Sequence, residues 1–344
     1  MKLALCSSFV PFVDGGYRNI VEWLAAMLVR AGHEVETIWV PEVDTPSLLV
    51  QQMAAYRWID LDAADRVICF RPQSHLIRHR HKIVWFIHHL RVFYDLWESE
   101  YRSFPDDLAH RSLRDILHDT DTRALKEART VFANSRVVAE RLRQHNGVDA
   151  CVLYPPVFEP ERFRRGETGN TIVCVCRIER HKRQHLLVDA MTHCRSGVKL
   201  ALYGASSDPV YVDALRQTIE THGLHDRVSL HDTWISEDAK VAALENALAV
   251  AYVPYDEDSY GYPVIEGAHA GKAVISTTDA GGVLEFVRDG VEGRISEPTA
   301  EGLSAVFDAL YEDRDATGRM GAAATGRITE LGLDWAHVLE RLLA

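Results

Sequence analysis

Between Asp258 and Glu266 the chain places two carboxylates, a glycine and a proline in a spacing suited to binding chemistry. Gly261 lets a backbone pass close to a ligand, and Pro263 suits the first turn of a helix, where its missing N–H would be unpaired anyway. A helix start of this kind binds anions, because its unpaired N–H groups and the positive end of its dipole face whatever lies before the loop. Glu266 falls about one turn inside that helix, on the face reached from the loop. Two carboxylates flanking a phosphate site suit a ligand with hydroxyls at both ends of a diphosphate, which is the layout of a nucleotide sugar. Taken singly, Glu266 reads as a partner for the helix dipole and Asp258 as a loop solvator; the whole string argues against that.

Two cations offer the complementary chemistry. A strand over Ile172–Cys176 ends at Arg177, and Lys182 follows just before a helix with Leu186, Leu187 and Ala190 inward. A forked guanidinium and a point charge at the mouth of a parallel strand suit the oxygens of a diphosphate, although alone the pair reads as a surface loop. His88 stands at the end of the buried strand Lys82–Ile87, where α/β proteins bind ligands, although a lone strand-end histidine is more often structural. Gly204 closes the strand Val198–Tyr203, and Thr233 and Trp234 follow the strand Arg227–Leu230. Trp234 could stack on a base or cover the core. Gly15 and Gly16 open the first helix, but without the GxGxxG spacing of a nicotinamide site.

The string Asp258, Gly261, Tyr262, Pro263, Glu266, the small-residue run Ala268–Gly271, the apolar run Ala273–Ile275 and then Gly281, Gly282 and Glu285 resembles the GT4 group of retaining glycosyltransferases with the GT-B fold. The family's first acidic residue is usually Glu; here it is Asp258, with Glu257 beside it as a substitute. VWFIHHL resembles the family's strand ending in a histidine that contacts the transferred sugar, with His89 where Asp is usual. The resemblance implies that Arg177 and Lys182 hold the donor diphosphate and that Glu266 accepts hydrogen bonds from ribose. It implies further that Asp258 touches the sugar, that the base lies near Thr233 and Trp234, and that Gly15 and Gly16 floor the cleft. It also implies an α/β chain of two Rossmann-like, doubly wound parallel-sheet domains facing across that cleft. The donor's own β-phosphate oxygen would take the acceptor proton, so no protein base, cofactor or metal ion is expected.

The rest of the chain fits this organisation. Strands and helices alternate throughout, which predicts parallel sheets with helices on both faces. The expected domains are 1–155 and 170–325, joined by a proline-containing linker at 156–169 and followed by a C-terminal segment, 326–344, packing back on the first domain. Its Trp335, Val338, Leu339 and Leu342 are spaced as one face, as are Ile20, Leu24, Leu28 and Val29 of the first helix, while Ser135 reads as a helix cap. With 47% apolar and 26% charged residues the chain reads as an ordinary globular protein. No run of about 18 apolar residues spans a membrane, and the start enters a strand without a signal-peptide layout; a cytoplasmic location is expected. The six cysteines lack paired spacing and read as buried thiols. Residues 1–155 carry 19 Lys and Arg against 20 Asp and Glu, whereas residues 156–344 carry 19 against 30. So acidic a second half argues against a nucleic-acid partner.

The acceptor is sought on the first domain. RPQSHLIRHRHK, residues 71–82, gathers four basic residues and three histidines, and Trp85, Phe86, Phe93, Tyr94 and Trp97 follow. A cationic patch beside apolar rings suits a lipid-linked saccharide or glycan and peripheral contact with an anionic membrane. The competing picture is a soluble enzyme decorating a small metabolite, with the aromatics in the core. Three further alternatives are a GT-A transferase holding a metal on Asp256-Glu257-Asp258, a sugar-nucleotide epimerase, and a nucleotide-sugar-binding module without turnover.

Overall fold

The computed structural model describes residues 1–10, 16–42, 45–99, 102 and 104–344; Gly15 lies outside them. The chain divides into two compact units, Met1–Pro155 together with Trp335–Ala344, and Pro156–Asp334.

In the first unit six parallel strands, β1 (Lys2–Phe9), β2 (Glu34–Pro41), β3 (Arg66–Cys69), β4 (Lys82–Phe86), β5 (Thr130–Ala133) and β6 (Cys151–Val152), lie in the order β2-β1-β3-β4-β5-β6. The sequence reverses direction between β1 and β3, so their carboxyl ends frame a ligand crevice. Both faces are covered, and every residue of β4 is buried, as a central parallel strand requires. The helix Gly16–Arg30 buries Ile20, Leu24 and Leu28, but Val29 is 57% exposed, contrary to the expected face. One residue past Leu28 is a turn of about 100°, which carries Val29 off the inward stripe. Ser135 caps the helix Arg136–Asn146 by accepting from the Val138 N–H at 3.0 Å, and Gly147 closes it at φ 58°. The final helix, Trp335–Leu343, buries Trp335, Val338 and Leu342. The Arg66 guanidinium donates to the carbonyls of Leu342 and Ala344, satisfying orphan acceptors at its end.

The second unit holds β7 (Thr171–Val175), β8 (Lys199–Tyr203), β9 (Val228–His231), β10 (Ala249–Ala251), β11 (Ala273–Thr277) and β12 (Gly293–Ser296), again parallel, in the order β12-β11-β10-β7-β8-β9. This is the doubly wound dinucleotide-fold order, with its switch point between β7 and β10. The chain leaving β7 carries Arg177 and Lys182; the chain leaving β10 carries Tyr252, Glu257, Asp258 and the helix Tyr262–His269. Topology alone thus brings together the two stretches that the sequence singles out. Two sheets of this order also dispose of the GT-A alternative.

The segment 71–82 is not the surface patch that its composition predicts. Arg71, His75 and Lys82 are buried, leaving Arg78 and Arg80 exposed. Lys82 gives its ammonium to the carbonyls of His75 and Ala124 at 2.9 and 2.8 Å and to Glu127 at 3.2 Å. His75 pairs with Asp121 at 2.9 Å. Trp85, Phe86, Phe93, Tyr94 and Trp97 all belong to the core. Among the described residues no helix is long and apolar enough to cross a membrane. The cysteines are free thiols, with Cys151 exposed.

Candidate functional site

In the second unit the site begins where β7 and β8 end. Gly204 has φ 154°, and a Cβ there would stand 1.9 Å from the Cys176 carbonyl oxygen, so only glycine lets the exit of β8 pass the exit of β7. Gly204 therefore shapes the backbone under Arg177. The Arg177 guanidinium, 40% exposed, pairs with Glu179 at 2.5 Å.

Lys182 closes a short helical turn, Arg180–Lys182, and is buried. Its ammonium donates to the Tyr252 hydroxyl at 2.8 Å and to the Glu257 carboxylate; Tyr252 donates to the same carboxylate at 2.7 Å. Burial pushes the Glu257 carboxyl up, but the Lys182 ammonium and these two hydrogen bonds outweigh it and hold the group at about 2. The next residue, Arg183, spends its guanidinium on the carbonyls of Val253 and Pro254, the Thr277 hydroxyl and both oxygens of Asp279. It clamps the loops leaving β10 and β11, and so fixes the backbone that presents Glu257.

Gly261 caps the helix Tyr262–His269 at φ 75°, with Pro263 in its first turn. A Cβ on Gly261 would stand 2.3 Å from the Tyr252 ring, so the glycine seats the helix start against the tyrosine that holds Lys182. The Gly281-Gly282 turn presses on the same loop: a Cβ on Gly281 would meet the Glu257 carbonyl oxygen at 2.5 Å, and Gly282 donates to that oxygen at 2.7 Å. Asp258 lies half-buried on this loop. Glu266 is buried one turn into the helix, with Lys240 2.7 Å from its Oε1. Thr233 and Trp234 are exposed beyond β9, the tryptophan by 61%, so Trp234 does not cover the core.

The structure thus gathers Lys182, Gly261 and the 257–258 loop, and adds Glu257, Tyr252, Glu179, Lys240 and Arg183, which sequence reasoning assigned no settled role. Of these the sequence marked only Glu257, by its place beside Asp258. Among the described residues no group of three or more His, Cys, Asp or Glu gathers as a metal-ligand set.

In the first unit His88 follows β4, and the Arg71 Nε–H reaches its Nε2 at 3.2 Å while its Nδ1 meets the His89 carbonyl oxygen at 2.7 Å. That pairing puts the proton on Nδ1. Burial, then the Arg71 charge, lowers the His88 value to about 3, so the ring is neutral. Arg71 pairs with Glu42 at 3.1 Å, and Ser8 donates to Glu42 at 2.8 Å. His88 is thereby tied to the crevice between β1 and β3. His89 turns away to Asn146 at 2.9 Å, and Gly16 opens the first helix, exposed.

Two Rossmann-type units with polar groups at their switch points define the GT-B fold, and solved structures bear this out over nearly the whole chain. HepE of Anabaena, in complex with UDP and glucose, is 18% identical, with 99% of this chain and 98% of that one covered at a TM-score of 0.73. Sucrose-phosphate synthase of Thermosynechococcus elongatus is 16% identical, with 98% and 97% covered at 0.79; at such identities the likeness is one of fold. An alpha-1,3/1,6-mannosyltransferase of Dictyostelium discoideum is 29% identical over 45% of this chain and 40% of its own length. An alpha-maltose-1-phosphate synthase of Mycobacterium tuberculosis is 29% identical over 58% and 54%. The chain thus spans about half the length of the curated relatives it matches. Residues 158–327, which lie within the second unit, match the family described as Glycosyl transferases group 1.

Proposed function

We propose that the protein transfers a sugar from a nucleoside-diphosphate sugar to a saccharide acceptor with retention of configuration. The observation that carries this reading is the Lys182 ammonium, held at the mouth of β7 against the loop leaving β10 that leads to Glu266. A buried cation at a Rossmann switch point, with Arg177 on the same loop and a helix start behind Gly261, suits the diphosphate of the donor. Lys182 and Arg177 would stabilise charge building on the leaving diphosphate, a contribution of roughly 3 to 4 kcal/mol for a strong donor. We assign this role to the two cations in place of a divalent ion, so turnover is expected to persist with a chelator. Asp258 faces the sugar in this reading.

For the acceptor, relatives named for mannosyl transfer and maltose-phosphate synthesis support a saccharide. The lipid-linked version, with peripheral membrane contact, keeps only Arg78 and Arg80 as exposed cations of the 71–82 segment. Co-sedimentation with anionic vesicles, wild type against Arg78→Gln/Arg80→Gln, tests it. The central reading is tested by thermal shift against UDP, GDP, ADP and dTDP, followed by nucleotide release from the matching sugar donor with a panel of saccharides. UDP is the first choice, since HepE was solved with it. Binding of none of the four overturns the assignment; release without any acceptor, with epimerised product, favours the epimerase reading.

A further inference from the structure

Lys240 lies on the helix Glu237–Glu245 with 8% of its surface exposed, and burying an ammonium is costly unless it is paired. Its Nζ sits 2.7 Å from Glu266 Oε1 and 2.9 Å from Glu237 Oε1. Arg162 reaches Glu237 in turn at 3.3 Å, and the Phe163 ring lies 6.0 Å from the Lys240 ammonium. Charges therefore alternate along Arg162, Glu237, Lys240 and Glu266, and the last is the carboxylate one turn inside the helix Tyr262–His269. The helix bearing Lys240 starts three residues beyond Trp234, capped by Ser236, so the loop after β9 leads directly into it.

We propose that Lys240 is a positioning residue that sets ribose recognition by Glu266: it holds Oε1 and orients the carboxylate as the acceptor for the vicinal 2′- and 3′-hydroxyls of a ribonucleotide. This rests on the nucleotide-sugar reading above. A carboxylate accepts from two adjacent hydroxyls, whereas a protonated acid gives one of its oxygens over to donation. Burial pushes Glu266 up towards that neutral form, and the Lys240 charge, with a lesser contribution from Arg162, opposes this without cancelling it. Glu237 and Glu266 together keep the Lys240 ammonium charged against its own burial. The ion pair thus favours the charged form of Glu266 and sets the direction of its oxygens. Remote Arg177 and Lys182 would still hold a diphosphate without it, so the loss should fall on the ribose alone.

Calorimetry on the full chain identifies the tightest of UDP, GDP and ADP, and that ribonucleotide, its 2′-deoxy analogue and inorganic pyrophosphate are compared on wild type, Lys240→Met and Lys240→Arg. Wild type should prefer the ribonucleotide over the deoxy form by about tenfold or more. In Lys240→Met that ratio should fall to about one or two, with pyrophosphate affinity within about twofold of wild type, and Lys240→Arg should restore most of the preference. An unchanged ratio in Lys240→Met, or equal loss for all three ligands, overturns the proposal, the second outcome marking a purely structural role. Should Lys240→Met not fold, Lys240→Gln, which keeps a donor but no charge, is read by the same ratio. A wild type that binds pyrophosphate but no nucleoside diphosphate refutes the nucleotide-sugar reading and leaves nothing for Lys240 to orient.

Discussion

The buried Lys182 and the half-buried Glu257 form an ion pair closed into a ring by Tyr252, whose hydroxyl lies 2.8 Å from the ammonium and 2.7 Å from the carboxylate. The cation assigned to the donor diphosphate is thus already neutralised by a carboxylate of its own chain. Arg177 is likewise paired, with Glu179. Under the proposed function, a diphosphate arriving here would exchange one counter-ion for another, and its charge would meet that of Glu257 at short range. Buried like charges repel far more strongly than they would in water.

Glu257→Gln should therefore change stability and affinity in opposite directions. Leaving Lys182 buried without its counter-ion should cost on the order of 3 kcal/mol and lower Tm by several degrees in a chain of this size. The uncompensated ammonium should then bind a nucleoside diphosphate about tenfold more tightly, enlarging the ligand-induced rise in Tm. Thermal shift with and without nucleotide reads both effects. Weaker nucleotide binding by the variant would show that Glu257 orients Lys182 and does not compete for it.

Arg177→Ala and Lys182→Ala should both lower turnover by roughly 100-fold or more, yet part company in stability. Arg177 is two-fifths exposed, and its pair with Glu179 is screened by water, so its loss should leave Tm within about a degree. Lys182→Ala strands Glu257 without its cation and should lower Tm clearly. Saturating kinetics and melting curves on both variants decide; wild-type turnover in either would remove that cation from the reaction.

Legibility in the sequence followed distance along the chain. Gly261, Pro263 and Glu266 lie within a stretch of six residues, and their backbone demands are local, so the loop and helix start could be read from residue types. Gly204 carried the same kind of signal, but its reason, contact with the Cys176 carbonyl across two strands, did not. The partner of Lys182 lies 75 residues away and that of Lys240 lies 26 away, and in neither case does composition say which carboxylate meets which cation. The 71–82 segment misled for a related reason. A lysine reads as a surface residue until the fold supplies two carbonyls and Glu127 to receive it, as it does for Lys82.

Asp258 is one methylene shorter than the glutamate usual at its position, and it shares its loop with Glu257, which the Lys182 pair already occupies. Asp258→Ala is expected to change the rate or the choice of sugar by about tenfold or more while nucleoside-diphosphate affinity stays within about twofold. Glu257→Gln shows the reverse emphasis in the scheme above. Donor competition assays alongside nucleotide calorimetry separate the two; a loss of nucleotide affinity in Asp258→Ala with sugar choice unchanged would move the sugar contact elsewhere.

Acid should destabilise the first unit through His89. Its ring is 2% exposed, between Asn146 and the rings of Phe86, Tyr94 and His145. Burial lowers it to about 4, outweighing the Asn146 hydrogen bond and the Asp121 charge that raise it. A histidine whose folded value lies below its ordinary 6.5 favours folding in its neutral form. Its contribution is complete above about pH 6.5 and is lost as the pH falls from there towards 4, amounting to roughly 3 kcal/mol at the acid end. The half-buried His88, lowered to about 3, acts in the same direction. Glu257, held at about 2 against an ordinary 4.5, loses its contribution only in the lower window between those values. Melting curves between about pH 7.5 and 4.5 should therefore show Tm falling before the carboxylates titrate. In His89→Gln, whose amide can still reach Asn146, Tm should start lower at neutral pH and fall less over the same range. A fall as steep in the variant as in wild type would place the acid sensitivity outside His89.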